Sequence, residues 1–178
     1  MMRLKLKKYG GFLIGLLVGS ILMFTVCRHY NQEATSMLSS ILHTANAGLR
    51  DTSAYELYEG MDSDVFRRHA ICIHDELWPT ARILFSVPVN DYIRKEMGGG
   101  SLTDEQISTV YLFLHRYCRH LHKVLYEEVL SEETIQLAVE GRWVINPVGS
   151  YVSDIPTLEE LYQRLTTTSW GELLIADD

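Results

Sequence analysis

Thr103-Asp-Glu-Gln-Ile-Ser-Thr-Val-Tyr-Leu-Phe-Leu-His-Arg-Tyr-Cys-Arg-His-Leu-His-Lys-Val-Leu-Tyr-Glu-Glu-Val129 is the stretch on which the fold turns. Thr103 and Gln106 have the spacing of a capping box, and Leu102 and Ile107 that of a hydrophobic staple. Beyond them Ile107, Val110, Tyr111, Leu114, Cys118, Leu121, Leu125 and Val129 recur at steps of three and four. This predicts one amphipathic helix of about six turns with a continuous apolar face. A helix of that kind needs partners to cover its stripe, and the flanking sequence offers them.

Upstream, Asp62 or Ser63 opens a helix with Phe66, Ala70, Ile73 and Leu77 on one face, and Pro79 is expected to end or kink it. Ile83 to Val87 reads equally as a helical turn or a short strand. Asn90 to Met97 reads as a short helix, and Gly98-Gly-Gly100 as the most flexible joint of the chain. Downstream, Ser131-Glu-Glu-Thr134 opens a helix that runs to Gly141, and Thr157 to Leu165 forms another. Arg142 to Val152 reads as a β-hairpin with Pro147 and Gly149 in its turn. Nearer the N-terminus, Ala34, Met37, Leu38, Ile41, Leu42 and Ala45 form a helical stripe that Gly48 stops. Ser53 to Glu56 starts a short helix ending at Gly60.

The first residues set the expected location. Arg3, Lys5, Lys7 and Lys8 precede an uncharged run from Tyr9 to Val26. Eighteen residues of helix reach about 27 Å, near the thickness of a bilayer core. No pair of small residues follows at the spacing of a cleavage site, so the run reads as an uncleaved signal anchor. With the basic residues on its N-terminal side, the N-terminus is cytoplasmic. The expected organisation is a basic tail at 1–8, a transmembrane helix at 9–27, a juxtamembrane stalk at 28–50 and a helical extracytoplasmic domain at 51–178. The fold class is mainly α: a single transmembrane helix, then a multi-helix domain with one small β-hairpin. The location is the inner membrane, single-pass, with the C-terminal domain periplasmic.

Gly11, Gly15 and Gly19 recur every four residues along this run, and the same step leads on to Cys27. Small-residue faces let helix backbones approach closely, so these four residues are the expected dimerisation face. Outside the cytoplasm a disulfide between Cys72 and Cys118 is permitted. The residues after Lys8 carry 12 basic and 23 acidic side chains, a balance of −11, which excludes a nucleic-acid binder of the usual basic kind.

Against that acidity, His115, Arg116, Arg119, His120, His122 and Lys123 crowd nine positions of the long helix. They form a candidate face for an anionic ligand or an acidic partner. His69, Cys72, His115, Cys118 and His122 include the soft ligands that Zn or Cu accepts, at three- and four-residue steps. No CxxC, HExxH, phosphate loop or nucleophile elbow is present. The sequence therefore predicts no enzyme and no cofactor. It predicts a protein acting by contact with membrane or envelope proteins or with its own copy, as an assembly component or regulator. The alternatives are an extracytoplasmic sensor using the His/Arg face, and a Zn/Cu-binding protein.

Overall fold

The structure, a computed structural model, describes residues 2–86, 90–147 and 155–175, with side chains from Val18 onward within them and up to Leu174. Seven α-helices and one 3-10 turn (Thr52–Ala54) make up the described chain: α1 Met2–Asp51, α2 Ser63–Ser86, α3 Asp91–Glu96, α4 Asp104–Tyr126, α5 Glu132–Ile145, α6 Leu158–Leu165 and α7 Ser169–Ile175. Two compact units divide it, Met1–Ser39 and Ser40–Asp178.

The first unit is helix alone. Among the described residues no helix is long and apolar enough to cross a membrane. This corrects the expected transmembrane span, and with it the signal anchor, the single-pass inner-membrane location and the periplasmic domain. Past Val26 the helix meets the polar residues Arg28, His29, Asn31, Gln32 and Glu33. Helix α1 continues through these polar residues without a break. Of the glycine face, Gly11 and Gly15 lie outside the residues whose side chains are described. A Cβ added at Gly19 meets nothing within 4 Å.

The second unit is built around α4, which packs on α2, α5, α6 and α7. Its N-terminus is fixed by the expected capping box: Gln106 N donates to Thr103 Oγ1 at 3.2 Å, and Thr103 N to Gln106 Oε1 at 2.8 Å. The buried arc is wider than the sequence stripe, since Phe113, Tyr117 and Val124 are buried along with Ile107, Val110, Tyr111, Leu114, Cys118 and Leu121, while Leu125 is half-buried. Val129 lies past the helix end and is exposed. The register with α2 is antiparallel. Arg67, near the start of α2, donates to Val124 O at 3.0 Å and Glu128 O at 3.2 Å, while Phe85 at the far end meets His115.

Pro79 does not end α2, which runs on to Ser86. A proline inside a helix costs about 3 kcal/mol, and here burial offsets it: Leu77, Thr80, Ala81 and Leu84 around it are all fully buried. Thr80 Oγ1 also donates to Thr44 O at 3.0 Å, which ties α2 to the last turns of α1. Gly48 is no stop either. It sits inside α1 where an added Cβ would come within 2.2 Å of Thr80 Oγ1 and 2.7 Å of Glu76 O.

No strand occurs among the described residues, and the expected hairpin is corrected: Arg142 to Ile145 belong to α5, whose Asn146 N closes on Arg142 O at 2.9 Å. The rest of that segment, from 148 onward, lies outside the described residues. Of the expected short helix, only Ser53 and Ala54 are helical, in the 3-10 turn Thr52–Ala54, and Tyr55 and Glu56 lie beyond it. Gly98 is a packed corner: φ is +68°, and an added Cβ would lie 2.8 Å from Thr157 Cβ. Leu158 N donates to Met97 O at 2.8 Å beside it.

A close approach against a ring occurs at Gly141 of α5, where an added Cβ would stand 2.3 Å from Tyr117 Cε2 and 3.1 Å from Trp170 Nε1. Tyr117 is fully buried and its hydroxyl donates to Ala138 O at 3.0 Å, so the ring cannot yield. Gly141→Ala is expected to destabilise the unit by about 1–3 kcal/mol in urea unfolding. Gly100→Ala, which meets nothing within 4 Å, is the control and leaves the midpoint unchanged.

Candidate functional site

The antiparallel register of α2 and α4 places His74 and Trp78 of one helix opposite His115, His122 and Tyr126 of the other. The result is a series of rings along the seam. Phe85 stacks on His115 (centroids 4.4 Å, interplanar angle 13°), His115 meets Trp78 at 5.7 Å, and Trp78 stacks on His74 at 5.8 Å and 16°. His74 then meets His122 at 5.6 Å, and His122 meets Tyr126 at 4.9 Å. The series ends on Tyr126, 74% exposed.

At that end the helices enclose a groove of about 640 Å³ lined by His74, Trp78, Arg119, His122, Lys123 and Tyr126. Three of the six residues of the predicted basic face are therefore in it. His115 adjoins it under Trp78, and its pKa is lowered by burial and by the neighbouring Arg119 cation. Arg116 lies half-buried outside the lining. His120 is turned inward, with Nε2 3.0 Å from Thr134 O and its ring edge-on to Trp170. The aromatic half of the groove, Trp78 and Tyr126, was not anticipated. Trp78 sits one position past Leu77, beside the expected stripe, and only the register across the seam brings it to the basic face.

The two cations differ. Lys123 Nζ pairs with Glu127 Oε1 one turn on, at 3.1 Å, and that contact holds the Glu127 carboxyl below its usual range. Among the described residues Arg119 has no carboxylate within ion-pair distance. Other arginines are committed to backbone carbonyls: Arg67 at the end of α4, and Arg164 on Val144 O and Ile145 O at the end of α5.

Arg142 is spent the same way in a second, smaller cavity of about 270 Å³. It is buried, donates to Tyr55 O, Ser53 O and Asn146 O, and burial lowers its pKa. Glu56 and Glu59 stand on the rim of that cavity. The carbonyls already take each of its nitrogens, so the α2–α4 groove is the better binding site.

No serine, threonine or cysteine lines the groove, and His74 Nδ1 meets only the carboxylate of its chain neighbour Asp75, at 3.0 Å. The chemistry available is stacking, hydrogen bonding and ion pairing. Among the described residues no group of three His, Cys, Asp or Glu could hold a metal ion. In the suggested set, His69 is occupied by Glu56 O at 2.8 Å and by the Tyr55 ring.

All three cysteines are free thiols, so the structure does not join Cys72 to Cys118. Cys118 is fully buried, and burial pushes its thiol up to about 12. Cys72 is half-buried against Tyr55, whose hydroxyl it raises. Cys27 is exposed. No protein-family model matches the chain, and no curated protein or solved structure matches it either.

Two measurements test this description. Thiolates, not thiols, are alkylated, so iodoacetamide should label Cys27 first and leave Cys118 unmodified until the unit unfolds; prompt labelling of Cys118 would contradict its burial. Burial lowers the pKa of His120, and it does the same for His115. The unfolded chain therefore binds more protons than the folded one, and stability is lost as pH falls below about 6.5, the unfolded value. The melting temperature should drop between about pH 7.5 and pH 5.5. His120→Gln, which keeps a donor for Thr134 O, should flatten part of that drop.

Proposed function

We propose that the chain is a helical protein-interaction module that works by contact, and that its α2–α4 groove receives an acidic segment of a partner protein. Arg119 carries this reading: an exposed cation on the groove wall, with no carboxylate partner among the described residues, in a chain of 23 acidic against 16 basic residues. In a surface so acidic, a guanidinium left facing a concavity is a place where an external carboxylate meets less repulsion than anywhere around it. Lys123, 67% exposed, adds a second cation beside it, paired one turn on with the half-buried Glu127. A duplex or single strand fits the groove poorly, since phosphate tracking needs a long basic surface.

The magnitudes bound what the charges contribute. Two solvent-exposed ion pairs supply about 2 kcal/mol at most, whereas micromolar affinity needs about 8 kcal/mol. Ring contacts, at about 0.5–1.5 kcal/mol each beyond the area they bury, must add to the charges. The charges then govern approach, selectivity and salt dependence.

The test uses a fluorescently labelled glutamate-rich peptide. It should bind, with affinity that weakens as salt is raised. The double reversal Arg119→Glu with Lys123→Glu should weaken it by about tenfold or more, or 1.4 kcal/mol. Lys95→Glu, on the exposed side of α3, should bind as the unaltered chain does. Binding that survives the double reversal would remove the reading.

A further inference from the structure

Resting on that reading, the geometry points to the chemistry of the segment the groove takes: an acidic peptide carrying an aromatic side chain, whose ring seats against Tyr126 at the open end of the ring series while its carboxylate meets Arg119. Three observations converge on this. The ring series along the seam ends on one side in a stacked pair, Phe85 on His115 at 4.4 Å and 13°. It is open at the other, where Tyr126 stands 74% exposed with His122 as its ring neighbour among the described residues. Aromatic rings at a water-facing rim, with an apolar body and a polar tip, are enriched where a partner's ring is received.

The groove's composition selects the partner's charge in the same few residues. Arg119 and Lys123 lie on the α4 wall, one turn apart and alternating with His122, so cations and rings are interleaved along one helix face. A carboxylate one or two residues from an aromatic ring in a peptide spans a comparable distance in extended chain. An aliphatic side chain would bury area in the groove but could not stack with Tyr126. A lysine- or arginine-bearing segment could stack on the rings but would face two like charges. The groove volume of about 640 Å³ accommodates one ring and its neighbours, which is the scale of a short anchor and not of a whole helix face.

The experiment compares three peptides by titration followed through the Trp78 indole and Tyr126 ring resonances: a glutamate-rich peptide with one tyrosine, its twin with leucine at that position, and a twin with glutamine for every glutamate. The tyrosine peptide should bind about fivefold tighter than the leucine twin, and Tyr126→Leu should erase that difference. Tyr126 is exposed, so this variant keeps the fold. Equal affinity for the tyrosine and leucine peptides overturns the aromatic assignment and leaves the acidic groove standing. Equal affinity for the glutamate and glutamine peptides, or binding by none of the three, overturns the acidic groove and the assignment with it.

Discussion

Tyr117 lying over Gly141 is the contact on which the rest of the second unit depends. The ring has no room to spare on that side, and its hydroxyl is held by Ala138 O. Phe113 stacks behind it at 5.7 Å, and Trp170 of α7 closes edge-on against both rings. This pins the rotation of α4 about its own axis. Because side chains on a helix recur every three or four residues, pinning Phe113 and Tyr117 toward α5 and α7 leaves His115, Arg119, His122 and Tyr126 no choice but the α2 side. Orientation of the groove wall is thus set on the opposite flank of the same helix.

Where local chemistry suffices, the sequence was readable. The capping box at Thr103–Gln106 and the cap at Ser131 stand where spacing places them, because each is a bond between residues three apart. The stripe Phe66, Ala70, Ile73, Leu77 is buried as its period requires. Tertiary contacts overrode local signals elsewhere. Pro79 and Gly48, both nominal helix breakers, are interior to α2 and α1: the residues around Pro79 are buried, and Gly48 packs against Glu76 and Thr80 of α2, whose bond to Thr44 O adds to that contact. Trp143, Val144 and Ile145 have strand propensity, yet Arg142 and Arg164 hold the neighbouring carbonyls and the segment ends α5. Helix α7 had no signal of its own. It is short, and its place depends on Trp170 reaching Leu137 O and on Ser169 N reaching Glu140.

The first unit shows the limit of reading a location from hydropathy. Tyr9 to Val26 is apolar and the right length on paper, but among the described residues no helix is long and apolar enough to cross a membrane, and α1 runs on past Val26 through polar residues without interruption. Composition over a window does not reveal whether the helix ends where the apolar residues do, and here it does not.

The candidate site was half legible for a related reason. Cations and histidines on α4 are adjacent in sequence, and their clustering in an acidic chain stands out from charge alone. Trp78, their aromatic counterpart across the seam, comes from α2, some forty residues earlier, and reaches them only through the antiparallel register that Arg67 fixes at one end and Phe85 at the other. Sequence clustering also overcounted. His120 belongs to the same run, but three residues past Tyr117 it turns to the α5 side and is consumed by Thr134 O and Trp170. A run of like residues on one helix is therefore two faces, and the packing of Tyr117 decides which members meet the solvent and which the core.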